Sequence, residues 1–243
     1  MPDSTPNVLL FILIPVITTV VGGIIASYRS PGEAVRVSVQ HFAAGVVFAA
    51  VGAELLPQLI HNLEIIPLVS GFSLGVALML AIRSWTRRLE KGRSGSGEKG
   101  TGGLLIVSAV DVFIDGLLVG ISFEVGFREG IIITIALTIE LLFLAISVAS
   151  SMAESNADKP RIIISSAVLA MLVLIGAVIG STFLRGISGG GLEGMIAFAT
   201  AALLYLVTEE LLVEAHEGRD STFSITMFFV GFLSILILES LTP

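Results

Sequence analysis

Two aspartates inside an apolar stretch are the first residues of this sequence whose types and spacing suggest chemistry. The stretch SAVDVFIDGLLVGISF, residues 108–123, carries Asp111 and Asp115 four positions apart. In a helix that spacing places both carboxylates on one face. Glu140 lies in the middle of the next apolar run. Carboxylate oxygens gathered away from water are ligands for a divalent cation, and without a cation their mutual repulsion favours proton uptake.

The composition places these acids in a membrane. The 243 residues are 54% hydrophobic and only 14% charged, with a mean hydropathy of +0.99, whereas about a quarter of the residues of a soluble domain are charged. Eight apolar runs approach the roughly 20 residues that cross a bilayer; they are 8–27, 35–60, 65–82, 103–123, 131–150, 162–183, 192–213 and 223–238. We predict an all-α polytopic membrane protein in which these runs form spans 1 to 8.

The distribution of basic residues predicts the orientation. Of the 13 lysines and arginines, all but Arg128 and Arg185 fall on the side where span 3 ends and span 4 begins. By the positive-inside rule this side is cytoplasmic, so both termini are external, and the expected location is the plasma (inner) membrane. The chain is one transmembrane domain, 1–243, with a flexible cytoplasmic loop at about 84–102. With no cysteine, it has no thiolate ligand or disulfide.

Two segments suggest an internal repeat. AAGVVFAAVGAELLPQ in span 2 (residues 43–58) and ATAALLYLVTEELLVE in span 7 (residues 199–214) share small residues early and E-L-L-x-[QE] late. The predicted topology makes these spans run in opposite directions across the membrane. Inverted repeats place a binding site near the bilayer midplane, and the eight spans are expected in a 3+2+3 inverted-repeat arrangement.

Carboxylates at the midplane need compensation. Spans 4 and 5 are consecutive and antiparallel, so Asp111, Asp115 and Glu140 meet if the two spans pack together. An acid at the centre of a span costs about 2.5 to 3.5 kcal/mol, or on the order of 8 to 10 kcal/mol for three. No basic residue lies at that depth, so protons, water or a metal cation must compensate. We predict a site that exchanges cations for protons; the alternative is three neutral acids that hydrogen-bond helices together.

The residues around these acids resemble the ZIP family of divalent metal transporters. The family motif H-N-x-P-E-G of span 4 aligns with DVFIDG, residues 111–116. HFAAGVVFAAVGAELLP in span 2 is similar to the family's small residues before a leucine-leucine-proline end, and YLVTEELLVEAHE in span 7 is similar to its E-E-L-x-x-E-A-H run. The resemblance covers most of the chain. It implies a transporter whose cargo is a divalent metal ion, with no prosthetic group.

Several positions depart from that family pattern: Asp111, Val112, Ile114, Asp115, Glu140, Leu144 and Val173. The chain lacks the histidines of spans 4 and 5, and Asp111 stands at the position of the first. Val112 and Val173 replace the asparagine and glutamate that help form a second metal position. The resemblance therefore implies a single all-oxygen site instead of a binuclear zinc site. Such a site suits manganese, magnesium or ferrous iron, and zinc remains open.

Other polar residues lie along a presumed pathway. They are Glu54 in the outer half of span 2, then Glu209, Glu210, Glu214, His216 and His41 towards the cytoplasmic side. Ionisable groups at such depths are interpreted as stations for a cation. For His41, Glu214 and His216 the alternative is a polar side chain that reaches water near a helix end.

Functions other than metal transport make different demands on these residues. An intramembrane aspartyl protease needs aspartates on separate helices, but Asp111 and Asp115 share one, so no enzyme is expected. A proton-coupled carrier for a small organic solute, and a family member that binds metal without transporting it, both remain as alternatives. The expected partners are a divalent metal ion and the lipid bilayer, with no nucleic acid, and a homodimer is a possible assembly. Transport is expected to rock a repeat-containing bundle against spans 4 and 5, with glycines such as Gly45 and Gly116 at the contacts.

Overall fold

The computed structural model describes residues 5–29, 31–61, 64–93, 101–183, 187–217 and 221–241. Within these ranges, eight helices are long and apolar enough to cross a membrane, and no strand occurs. A long apolar run forms a helix in a membrane because a helix satisfies its backbone hydrogen bonds within itself. The prediction of an all-helical polytopic chain is confirmed.

The spans have the following bounds. Span 1 is Thr5–Tyr28, span 3 is Ile65–Arg93, span 4 is Thr101–Val125, span 5 is Phe127–Glu154, span 6 is Lys159–Phe183 and span 8 is Thr222–Leu241. Span 2 consists of Glu33–Ala50, a π-helical segment Val51–Leu55, and Leu56–His61. Span 7 consists of Gly190–Tyr205, a π-helical segment Leu206–Leu211, and Leu212–Glu217. Short π-helical segments within α-helices are frequent at functional sites.

The connection between spans 3 and 4 differs from the predicted loop at 84–102. Span 3 continues as helix to Arg93, and span 4 begins at Thr101. The added turns contain Arg87, Arg88 and Leu89, and residues of these types have high helix propensity. Residues 94–100 lie outside the described part of the chain, so the predicted flexibility of the loop stays a prediction.

The spans pack into two bundles. Spans 1, 4, 5 and 6 pack against one another and form what we call the site bundle, because it carries the three central acids. Spans 2 and 8 pack together, as do spans 3 and 7, and these four spans form the frame bundle. The main contact between the bundles joins span 2 to span 5. The helix pair 4 and 5, against which a bundle was expected to rock, is thus flanked by spans 1 and 6.

Glycines allow the closest helix contacts within each bundle. A Cβ added at Gly116 of span 4 would collide with the carbonyl oxygen of Val173 in span 6. One added at Gly45 of span 2 would collide with the carbonyl oxygen of Phe228 in span 8. Small residues let membrane helices approach to backbone contact, so these positions fix the packing.

We call the end where span 1 begins and span 8 ends the terminal end, and the opposite end the basic end.

Candidate metal centre

Asp111, Asp115 and Glu140 come together between spans 4 and 5. One carboxylate oxygen from each residue lies within 4.8 Å of those of the other two. Gly126 alone separates the helices, since span 4 ends at Val125 and span 5 begins at Phe127. This short connection makes the two spans an antiparallel hairpin, and the hairpin places the middle of span 5 beside the second half of span 4. The three acids predicted to meet do so in the structure.

The cluster is buried, and its charges are alike. Asp115 is 0% exposed and Glu140 2%, while Asp111 is partly buried. Both carboxylate oxygens of Asp115 are buried, and among the described residues the one side chain that can share a proton with them is that of Glu140. The charged groups that act on Asp115 are Glu140 and Asp111, which are themselves acids. Such an arrangement is unfavourable in a low-dielectric interior unless protons or a cation balance the charge.

A cavity of ≈ 410 Å³ connects this cluster to the basic end. Asp111 lies in its wall together with Ser108 and Leu144 of the site bundle. The facing wall belongs to the frame bundle and includes Arg83, Tyr205, Glu209 and Glu210. Asp115 and Glu140 do not line this cavity. Asp111 is therefore the member of the cluster that lines the cavity.

Arg83 is a cavity residue that the sequence reasoning missed. Its guanidinium forms an ion pair with the carboxylate of Glu209, across from Asp111. The predicted span 3 ended at Ile82, which left Arg83 among the loop residues. In the structure the helix runs through it, so a later helix end was the signal that could have found it. The entrance of the cavity therefore carries both signs of charge.

The predicted pathway residues occupy three regions: the cavity, the terminal end, and a histidine pair outside both. Glu209 and Glu210 line the cavity. Glu54 is buried near the terminal end, where the charges acting on it are Arg128, Glu129 and Glu239.

The histidines form a pair of their own. The ring centroids of His41 in span 2 and His216 in span 7 are 5.3 Å apart, and neither residue lines the cavity. His41 Nδ1 lies 2.9 Å from the carbonyl oxygen of Val37. The side chain of Glu214 lies outside what the structure describes. The structure thus groups Glu209 and Glu210 with Asp111, and it does not bring His41, His216 or Glu54 to the cluster.

Valines pack beside the acids at the positions that differ from the family pattern. Val112 and Val173 are both 0% exposed and belong to one apolar cluster with Leu141. Val112 follows Asp111 directly, and the carbonyl of Val173 packs on Gly116, the neighbour of Asp115. These two positions therefore carry hydrocarbon side chains packed in an apolar cluster and offer no side-chain ligand.

Comparison with known proteins identifies the family of this chain. No curated protein matches the chain at a significant level. The family model described as ZIP Zinc transporter matches residues 97–239. The matched region is more than half of the chain and includes Asp111, Asp115 and Glu140. The chain is an integral membrane protein that belongs to the ZIP zinc transporter family.

Proposed function

We propose that this chain moves a divalent cation across the membrane through a site formed by Asp111, Asp115 and Glu140. The observation that carries the proposal is the close approach of three carboxylates, two of them buried and the third partly buried, with Asp115 surrounded by acids and fully enclosed. A divalent cation bound between them would balance their charge. Membership of a family of metal transporters supports the same function. Metal is the cargo, and no enzymatic reaction is proposed.

The cavity suggests a path for the ion. Glu209 and Glu210 stand at its entrance, Asp111 lies in its wall, and Asp115 and Glu140 lie behind Asp111. An ion would pass between these carboxylates by exchanging ligands one at a time. We propose Glu54 as the corresponding station towards the terminal end, since it is buried on that side. His41, Glu214 and His216 are proposed as outlying stations beyond the cavity.

The pairing of the spans supports a 3+2+3 inverted repeat. In such a repeat, spans 1, 2 and 3 correspond to spans 6, 7 and 8, and span 4 corresponds to span 5. The contact of spans 2 and 8 then corresponds to the contact of spans 7 and 3. The contact of spans 1 and 5 corresponds likewise to that of spans 6 and 4, and all four contacts occur. Inverted repeats provide two related conformations, each open to one side. We propose that the site bundle moves against the frame bundle to alternate between them.

The ligand set favours one ion at a time and oxygen-preferring metals. All three ligands are carboxylates, and Val112 and Val173 offer no side-chain ligand. Manganese, ferrous iron and magnesium accept such ligands, and zinc binds them as well. The excess of lysine and arginine at the basic end supports a cytoplasmic location for that end, with both termini outside in a plasma (inner) membrane.

Uptake by the purified protein in liposomes tests the proposal. We expect manganese, iron, zinc or magnesium to enter faster than into empty liposomes, with a rate that changes when a proton gradient is imposed. An Asp115→Asn variant serves as the inactive control. Binding measured by calorimetry without any uptake would indicate a family member that binds metal and no longer transports it. Neither binding nor uptake of any divalent ion would contradict the proposal.

One observation favours a second candidate, a proton-coupled carrier for a small organic anion. The cavity contains Arg83, Arg87 and Tyr205, which are the basic and aromatic groups that an organic anion would need. In the structure Arg83 is already paired with Glu209. Because a paired arginine is less available to an organic anion, this ion pair favours metal transport over the second candidate. The two candidates differ in one measurement: an Arg83→Gln variant should retain metal uptake but would abolish uptake of an organic anion.

A further inference from the structure

We propose that a polar clamp at the terminal end joins the two bundles and holds the chain in the conformation that is open at the basic end. The clamp consists of Gln58 and Glu239 from the frame bundle and Arg128 and Glu129 from the site bundle. The proposal concerns the conformational equilibrium and does not depend on which ion is carried. It also assigns a role to Arg128 and Glu129, which the metal site leaves unused.

The contacts of the clamp cross from one bundle to the other. The Gln58 side-chain amide of span 2 donates a hydrogen bond of 2.8 Å to a carboxylate oxygen of Glu129 in span 5. The preceding residue, Arg128, donates a hydrogen bond of 3.4 Å to the backbone carbonyl of Glu239 in span 8. Its guanidinium also lies 3.8 Å from the Glu239 carboxylate. The first turn of span 5 is therefore tied to two spans of the frame bundle at once.

Glu54 is a buried acid on which three residues of the clamp act. Its side chain is 5% exposed, and Arg128 attracts its carboxylate while Glu129 and Glu239 repel it. Separating the bundles at this end would move Arg128 away from Glu54, while Glu129 and Glu239 act on Glu54 with the opposite sign. The hydrogen bonds and the ion pair of the clamp therefore carry the proposal, and Glu54 contributes one electrostatic attraction, to Arg128.

The basic end contains a cavity. There the cavity lies between the bundles, with Asp111 in one wall and Glu209 in the other. The ion pair of Arg83 with Glu209 joins spans 3 and 7 of the frame bundle, and Lys159 lies over the ring of Tyr28 within the site bundle. These contacts stabilise each bundle separately. The polar contacts of the clamp cross between the bundles at the opposite end, so its release permits the terminal end to open.

Cysteine labelling tests the clamp, because the chain contains no cysteine of its own. One reporter is Ser108→Cys, in the wall of the cavity. The other is Ile133→Cys, which is 1% exposed and lies one helical turn from Glu129 on the same face. The labelling rates with a hydrophilic maleimide are measured in nanodiscs, where both ends are accessible. The clamp is broken by Gln58→Glu, which places a carboxylate opposite Glu129, or by Arg128→Met.

Loss of these partly exposed polar pairs should shift the equilibrium between the two conformations, open at the basic end and open at the terminal end. We therefore expect each clamp variant to raise the labelling rate at Ile133→Cys about fivefold and to lower the rate at Ser108→Cys. Adding Glu129→Gln to Gln58→Glu restores an amide–carboxylate pair and should restore both rates. Arg161→Met, which removes an exposed arginine at the basic end, should change neither. Unchanged labelling at Ile133→Cys, or a rise at both reporters, would overturn the proposal.

Discussion

Glu54 of span 2 and Glu210 of span 7 occupy equivalent positions in the two similar segments, and each lies in a π-helical segment of its span. A π-helical turn holds an extra residue and changes the direction of the side chains around it. Glu54 is buried towards the terminal end, whereas Glu210 lines the cavity at the basic end. The pair thus flanks the three central acids from opposite sides, as equivalent residues of an inverted repeat would.

This relationship predicts that both glutamates affect the rate of transport more than the affinity of the central site. Glu54→Gln and Glu210→Gln should each slow metal uptake by about three- to tenfold, because a carboxylate along the path raises the local cation concentration. The affinity measured by calorimetry should stay within about twofold of the unmodified chain. A loss of affinity as large as the loss of rate would place these residues among the primary ligands instead.

The central site should depend on the charge of its buried members. We expect Asp115→Asn or Glu140→Gln to weaken cation binding on the order of 100-fold, which corresponds to roughly 2.7 kcal/mol. Both changes preserve size and remove a buried charge, so the metal-free protein should remain folded. Glu154→Gln is the matched control, since Glu154 is an exposed carboxylate at the end of the same span. Normal affinity in both site variants would show that the ion binds elsewhere.

Cation binding should weaken as the pH falls. Carboxylates bind a metal in their deprotonated form, so protons compete with the ion for Asp111, Asp115 and Glu140. Binding should therefore release protons, and calorimetry in buffers of different ionisation enthalpy measures that release. Asp115→Asn removes one of the competing groups. Proton release that is absent at every pH would contradict exchange of cations for protons at this site.

Metal preference should change with the ligands of the cavity wall. Asp111 and Leu144 line the same cavity, so Asp111→His with Leu144→Glu adds a nitrogen ligand and a further carboxylate to one wall. Zinc affinity should rise relative to manganese, because imidazole favours zinc. A new step should appear in the pH dependence as the imidazole loses its proton. If competition between zinc and manganese is the same before and after the change, Asp111 does not set the preference.

Helix contact at Gly116 should set the stability of the site bundle. Gly116→Ala places a Cβ against the carbonyl oxygen of Val173, and overpacking of this kind costs about 1–3 kcal/mol. We expect the melting temperature in detergent to fall by several degrees. Gly103→Ala is the control, because a Cβ there would meet no other atom within 4 Å. Equal melting temperatures for the two variants would show that spans 4 and 6 can separate slightly at no cost.

The helices and the three acids could be predicted because their signals are local. Long apolar runs determine the spans, the spacing of Asp111 and Asp115 determines a shared face, and a tight turn at Gly126 brings span 5 alongside. The other parts of the site depend on contacts between spans that are distant in sequence. The pairing of Arg83 with Glu209 and that of Arg128 with Glu239 each join residues more than 100 positions apart. Apolar periodicity contains no information about such pairs, and the repeated E-L-L pattern did not predict the π-helical segments.

The hairpin of spans 4 and 5 has a consequence for how this protein could evolve. All three acids proposed as ligands lie between residues 111 and 140, and the frame bundle contributes none of them. A recombination event that exchanges this short stretch of the gene would replace the complete ligand set in one step. The contacts of span 2 with span 8 and of span 3 with span 7 would be inherited unchanged. New metal preferences can therefore arise by the exchange of one small module, without the loss of a working membrane scaffold.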